Sequence, residues 1–325
     1  MLILGVETSC DETAVGIVAD GRRLLANVVA SQAAIHARYG GVVPEVASRH
    51  HLEAMLPVVR AALAEARCRP ADLDAVAVTA GPGLAGSLLV GLNTAKALAY
   101  AWSKPLIAVN HLEGHVYANW LLEEAPPLPA VALIVSGGHS EIVLAEGGGR
   151  YRLIGRTRDD AAGEAFDKAA RVLGLGFPGG PAIEREARAA GAKPPRLPRA
   201  WLGGSADFSF SGLKTAVARA AQEARAPVAD IAAAFQAAVV DVLVRKTVRA
   251  AEAFDARSVL LSGGVAANGP LRAALREASP APVFAPPPVL CTDNGAMIAA
   301  AAHFRADANV AGLDLDVRAS WSIAG

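Results

Sequence analysis

A chain of 325 residues, 53% of them hydrophobic, is long enough to bury a large core and is expected to fold as two lobes rather than one. Its 31 lysines and arginines balance 31 aspartates and glutamates, which excludes a global basic field for nucleic acid or an anionic membrane and leaves RNA contact to local patches or partner proteins. Cys10, Cys68 and Cys291 are scattered without a CxxC pair, and Gly, Pro or charge breaks the apolar runs, so the expectation is a soluble, cytoplasmic chain without disulfides, a cysteine-only zinc site or a membrane span.

Residues 2–8 read as a buried strand, Ser9-Cys10-Asp11-Glu12-Thr13 as a polar turn, and residues 14–18 as the returning strand of a hairpin. An acidic, hydroxylic turn of this kind can touch a phosphate or its metal, although ordinary exposed turns share its composition. Glu7 stands within the apolar strand, where an unpaired carboxylate is costly. Residues 46–65 carry apolar side chains at helical spacing, and the adjacent His50 and His51 point to different faces, as surface or packing residues do.

The strand 75–80 leads into Gly81-Pro82-Gly83-Leu84-Ala85-Gly86 and a helix at 87–101, the spacing of a dinucleotide fingerprint. Pro82 removes a backbone donor from any phosphate cradle, and the next strand, 106–109, ends at Asn110-His111 where the fingerprint wants an acid. The glycines therefore read as a tight turn, and Gly86, Gly91 and Ala95 as a small-residue face for close packing by another helix. His111 and His115 follow at helical spacing. Their rings stack on one face and can grip one divalent transition metal, with carboxylates elsewhere completing the shell.

Pro126-Pro127-Leu128-Pro129 marks a lobe boundary. The strand 131–135 then delivers Ser136-Gly137-Gly138-His139-Ser140, with a second strand at 141–145, and much later the strand 258–261 delivers Ser262-Gly263-Gly264. Strand ends without side chains let backbone amides approach a phosphate, so the repeat points to nucleotide binding. Between the copies, the loops at 159–168 and 177–184 suit hydroxyl and amine recognition. Arg188, Lys193, Arg196 and Arg199 form the best local patch for a phosphate backbone, and the aromatics of 207–215 anchor a loop. Asp293 precedes an alanine-rich helix at 297–304, where it fits either a helix N-cap or a fixed metal ligand.

Over nearly its whole length the chain resembles the tRNA threonylcarbamoyladenosine transferase family, called TsaD in bacteria. The resemblance is carried by Gly5-Val6-Glu7-Thr8-Ser9-Cys10-Asp11-Glu12-Thr13, Gly40-Gly41-Val42-Val43-Pro44-Glu45, Gly81-Pro82-Gly83-Leu84, His111-Leu112-Glu113-Gly114-His115, Val135-Ser136-Gly137-Gly138-His139, Gly163-Glu164-Ala165-Phe166-Asp167-Lys168, Phe208-Ser209-Phe210-Ser211-Gly212-Leu213-Lys214 and Cys291-Thr292-Asp293-Asn294-Gly295-Ala296. It implies the two-lobed α/β fold of actin, sugar kinases and heat-shock chaperone ATPases, with a five-stranded mixed sheet and helices in each lobe. The expected lobes are 1–128, rejoined by 305–325, and 129–304.

The implied reaction transfers a threonylcarbamoyl group from threonylcarbamoyl-AMP to the exocyclic amine of the adenosine beside the anticodon, in tRNAs reading codons that begin with A. The resemblance further implies one divalent metal, iron ahead of zinc, on His111, His115 and Asp293, at the mouth between the lobes. It places the adenylate on Ile134, Val135, Ser136, Gly137, Gly138, Asp167, Gly180, Glu184 and Asn268, and names TsaB and TsaE as accessory proteins; the small-residue helix after Gly86 is the surface expected to meet TsaB. Asp11 or Glu12 is the expected proton acceptor, and the metal the expected Lewis acid. The alternatives are a small-molecule kinase or ATPase of the same fold and a non-catalytic partner subunit. A zinc peptidase fits less well, because Glu113 falls two positions after His111 and projects off the metal face.

Overall fold

The computed structural model describes residues 1–191, 194–223, 226–305 and 310–324. The chain divides into two compact units, the first Met1–Pro126, Gly147–Tyr151 and Pro286–Gly325, the second Pro127–Glu146 and Arg152–Ala285.

The first unit is organised on β1 (Leu2–Glu7), β2 (Glu12–Ala19), β3 (Arg23–Ser31), β4 (Ala75–Gly81) and β5 (Leu106–Asn110). β1 pairs antiparallel with β2 and parallel with β4, and β4 pairs parallel with β5. Strands β1, β4 and β5 are buried throughout except for half-buried Leu2, as their nearly unbroken apolar sequences require of parallel strands covered on both faces. Because the three run parallel, Glu7, Thr79 and Asn110 end on one edge of the sheet, the edge at which such sheets take ligands.

The second unit follows the same plan with β6 (Ala130–Val135), β7 (Ser140–Gly147), β8 (Arg150–Arg156), β9 (Ser258–Ser262) and β10 (Val283–Phe284), in the order β10-β9-β6-β7-β8. The two mixed sheets agree with the expected architecture. The first also carries β11 (Val310–Ala311), a two-residue sixth strand antiparallel to β5 at its edge.

Two expectations are corrected. The chain returns to the first unit at Pro286 rather than at 305. The reason is the helix Gly295–Arg305, which lies directly on β1 and β2: a Cβ at Gly16 would sit 2.2 Å from the Ala296 nitrogen, and one at Gly295 would sit 2.0 Å from the Gly16 nitrogen. Only paired glycines allow this backbone-on-backbone approach.

The second correction concerns the helix Ala85–Trp102, where of Gly86, Gly91 and Ala95 only Gly86 is exposed, beside Ser48. Gly91 and Ala95 are buried, and a Cβ at Gly91 would meet Thr8 Oγ1 at 2.2 Å. The stripe packs against its own chain. The outer surface here is apolar instead, with Leu52 67%, Leu56 53% and Leu89 40% exposed on this helix and on Pro44–Glu65.

Candidate metal centre and nucleotide cradle

β5 hands directly to the short helix His111–Tyr117. Asn110 caps it, its Oδ1 accepting the Leu112 N–H at 2.9 Å, and this fixes the first helical residue, His111, at the sheet edge. Gly114 between the histidines admits Met297 and Ile298 of the Gly295–Arg305 helix, since a Cβ there would lie 2.8 Å from Ile298 Cδ1.

The partner of His111 is Glu7, whose Oε2 lies 3.0 Å from Nδ1. The same oxygen accepts the Thr79 hydroxyl at 2.6 Å, and Oε1 accepts the Ser9 N–H at 2.5 Å. Burial opposes the Glu7 charge, but the facing His111 ring outweighs it and holds the carboxylate below its ordinary pKa. Burial likewise opposes protonation of His111, yet the Glu7 and Asp293 carboxylates push its pKa up to about 9. With Nδ1 committed to Glu7, Nε2 is the nitrogen left for a ligand. The cost of Glu7 within an apolar strand is visible in the sequence, whereas the group that stabilises it, 104 residues away, is not.

Asp293 Oδ1 lies 3.6 Å from His111 Nε2 and 3.3 Å from His115 Nε2, and the three ligand atoms fall within 4.8 Å of one another. Asp293 is not the N-cap. That role belongs to Asn294, whose Oδ1 accepts the Met297 N–H at 2.9 Å and whose amide donates to the carbonyls of Leu290 and Thr292. Asn294 thus holds the turn while the Asp293 carboxylate faces the imidazoles. His115 is fully buried, and neither ring nitrogen makes a hydrogen bond of acceptable geometry among the described residues. Burial lowers its pKa, so it stands neutral with an unused lone pair. An orphaned neutral imidazole beside a second imidazole and a carboxylate fits a divalent transition metal.

Glu12 opens β2 and bonds Ser31 through Oε1 at 2.8 Å, while its buried Oε2 has no partner among the described residues. Burial pushes its pKa up to about 7, and that of the neighbouring Asp11 upward. Beneath this turn His51 is a packing residue, accepting the Thr13 hydroxyl at Nδ1 and donating Nε2–H to the Cys10 carbonyl. Glu113 is buried with its pKa raised to about 7, and faces Arg305 at 3.7 Å rather than the metal cluster.

In the second unit β6 leads into Ser136, whose N–H donates to the His139 carbonyl at 2.8 Å and whose carbonyl accepts the Gly163 N–H at 3.0 Å. A Cβ at Gly137, Gly138 or Gly180 would meet nothing within 4 Å, so the backbone there faces open space. The second Ser-Gly-Gly copy behaves differently. β9 lies beside β6, and Gly263, at φ +92°, presses on the Val135 carbonyl, where a Cβ would stand 2.2 Å away. One copy leaves its backbone open and the other is a packing turn.

The remaining expected adenylate contacts all lie in this unit. Ile134 and Val135 are core residues and offer only backbone. Asp167 Oδ1 accepts the Gly179 N–H at 2.7 Å, at the start of the helix Gly179–Ala187. Asn268 donates to Glu184 at 3.1 Å and to Gln236 at 2.9 Å while capping the helix Gly269–Ala278. Gln236 carried no sequence signal, because it sits within an alanine-rich helix. Of the basic stretch, Arg199 is bound to Asp241 and Arg188 to Glu184, Arg196 is exposed, and Lys193 lies outside the described residues. Phe208 and Phe210 are buried and stacked, anchoring their loop.

The family model TsaD, tRNA N6-adenosine threonylcarbamoyltransferase, matches residues 23–300. The chain is 58% identical to the tRNA N6-adenosine threonylcarbamoyltransferase of Thermomicrobium roseum, across 98% of this chain and 96% of that protein. It is 57% identical to the same enzyme of Dehalococcoides mccartyi, across 99% of each. Among solved structures, HypF of T. kodakarensis gives a TM-score of 0.63 at 17% identity over 94% of this chain and 48% of that one. Component A of the Acidaminococcus fermentans (R)-2-hydroxyglutaryl-CoA dehydratase gives 0.58 at 16% identity over 95% and 100%. These two likenesses are of fold alone.

Proposed function

The chain belongs to the TsaD family of tRNA N6-adenosine threonylcarbamoyltransferases and forms the threonylcarbamoyl-adenosine of tRNA, and from that premise we propose how its residues divide the reaction. The kinase or ATPase and non-catalytic alternatives give way to this assignment.

His111, His115 and Asp293 hold one divalent metal, which when bound supplies Lewis acidity to oxygens of the threonylcarbamoyl group. The orphaned ring of His115 carries this reading. Two imidazoles and one carboxylate are the ligand set of non-haem iron(II) and of catalytic zinc alike, so the donor set suits either metal. The open backbone of Ser136, Gly137, Gly138 and Gly180 receives the adenylate phosphate. Glu184 and Asn268 face its hydroxyls, and Asp167 fixes the start of the helix that bears Gly180. The adenine amine attacks the carbamoyl carbon, a C–N bond forms, and the C–O bond to phosphate breaks with AMP leaving. Glu12, poised near neutral pH, accepts the amine proton, with Asp11 beside it.

Titrating iron(II) or zinc into chelator-stripped protein at neutral pH is expected to release about one proton, read by calorimetry in buffers of different ionisation enthalpy. Metal-free His111 is protonated there and must become neutral to ligate, so affinity rises with pH until about 9. The sign for the metal-free fold is opposite. Its His111–Glu7 pair stabilises fully below the ordinary histidine pKa and is lost as pH climbs through about 9. Binding without proton release would show that metal-free His111 is already neutral at that pH, and would overturn the protonated His111–Glu7 pair.

tRNA is the substrate of the family, and no helix among the described residues is long and apolar enough to cross a membrane; both support a cytoplasmic protein. For the accessory proteins TsaB and TsaE, the exposed leucines on Pro44–Glu65 and Ala85–Trp102 support a TsaB surface. They border an apolar groove of about 490 Å³ that includes Leu52, Leu56, Leu89 and Leu98. Leu56→Glu is expected to weaken TsaB binding at least tenfold with thermal stability unchanged, and undiminished binding in a pull-down titration would dismiss this surface.

A further inference from the structure

A cavity of about 500 Å³ opens at Gly138 and runs along the ends of β7 and β8, lined by His139, Glu141, Arg156, Arg158 and Asp207 among others. Its volume falls within the range of small-ligand pockets, roughly 300–1,000 Å³. Several of its polar groups are already committed. Arg158 grips Asp207 through Nε and Nη2, both at 2.9 Å, and Asp207 also accepts the Arg156 N–H. The Ser140 hydroxyl accepts the Ala162 N–H, and the Thr157 hydroxyl donates to the Asp160 carbonyl.

Two groups remain. The exposed Arg156 guanidinium and the half-buried Glu141 carboxyl make no hydrogen bond or ion pair among the described residues. Burial raises the Glu141 pKa, with Arg156 opposing it, so the two sense each other without bonding. A free cation and a free acceptor on one cavity suit a ligand that brings an anion and a hydroxyl donor together. A ribonucleotide does so through its phosphate and its 2′-hydroxyl.

The acceptor adenosine lies within an RNA loop, and its neighbours in the strand must lodge beside the donor. Gly138 lines both this cavity and the cradle. We propose that the cavity holds the tRNA nucleotide adjacent to the acceptor adenosine, its phosphate on Arg156 and its 2′-hydroxyl on Glu141. This rests on the reading of Gly137 and Gly138 as the donor cradle.

The test is steady-state transfer by the full chain with its accessory subunits, tRNA varied at saturating donor across a salt series. Arg156→Ala is expected to raise the tRNA KM about tenfold with kcat unchanged, and to reduce the slope of log kcat/KM against log salt by roughly 0.7–0.9, one phosphate contact. Glu141→Met, similar in length without an acceptor, is expected to raise KM several-fold. A single 2′-deoxy substitution beside the acceptor should cost wild type the same factor and cost Glu141→Met nothing. Unchanged KM and salt slope in both variants would overturn the proposal. So would weaker binding of AMP to either variant, which would assign the cavity to the donor or to free nucleotide. Failure of the cradle reading shows separately, as Gly137→Val protein that binds AMP normally.

Discussion

Asp293→Asn protein is expected to lose its metal on gel filtration and to turn over roughly 10²–10³-fold more slowly than wild type. Lewis-acid stabilisation is several kcal/mol, and each increment of about 1.4 kcal/mol is tenfold in rate. The substitution keeps the shape of the turn, because Asn294 rather than Asp293 holds the helix start, so thermal stability of the metal-free protein should hardly change. Glu7→Gln should act more gently through His111, lowering metal affinity about 10–100-fold as the loss of a carboxylate behind a ligating imidazole does. Glu12→Gln separates the two chemistries. It should bind metal as wild type does yet lose the rise of kcat near pH 7 that a base of that pKa produces. Metal content by elemental analysis and kcat across pH decide among these outcomes. A fully active, metal-free Asp293→Asn enzyme would refute the metal's role.

The largest expected loss of stability comes from a residue that touches no ligand. Gly16→Val places a side chain 2.2 Å from the Ala296 nitrogen and 2.5 Å from the Ala296 Cα, backbone atoms of a helix whose first eight residues are all buried. Flexible side chains can yield to overpacking at about 1–3 kcal/mol, but here the helix must lift from the sheet. A cost of about 4 kcal/mol or more is expected, a fall in Tm of roughly 10 °C. The folded remainder should bind metal poorly, because Asp293 sits two residues ahead of that helix. Gly212→Ala is the control, since its Cβ would meet nothing within 4 Å and alanine is the better helix former. Equal thermal midpoints for Gly16→Val and wild type would show that the helix does not rest on the sheet through this contact.

Local pattern carried much of this architecture. The strands ending at Glu7, Asn110 and Val135 are continuous apolar runs closed or followed by polar or glycine residues, and the four-residue spacing of His111 and His115 already placed both rings on one side. What stayed hidden was set by contacts between distant segments. Asp293 and Asn294 have equal standing as caps, and only the turn around Leu290 and Thr292 decides which one turns inward. Glu7 advertised an unmet need, but nothing within its strand named His111. Gly91 and Ala95 show the same small-residue stripe whether the neighbour is another protein or Thr8. The two Ser-Gly-Gly runs are alike in sequence, and the pairing of β9 with β6 makes one of them a packing turn.

The glycine contact beneath the Gly295–Arg305 helix also sets an order of events during synthesis. β1 and β2 leave the ribosome first, but the helix that covers them follows the entire second unit. At about 5–20 residues per second, roughly ten to forty seconds separate Pro126 from that helix. Throughout that interval the face of the sheet that Gly5 and Gly16 leave open to the helix has no cover from it. His111 and His115 also wait without their carboxylate. On the proposed ligand set, metal loading is expected only in the finished chain, and a chain truncated before Asp293 is expected to bind no metal and to leave the sheet uncovered.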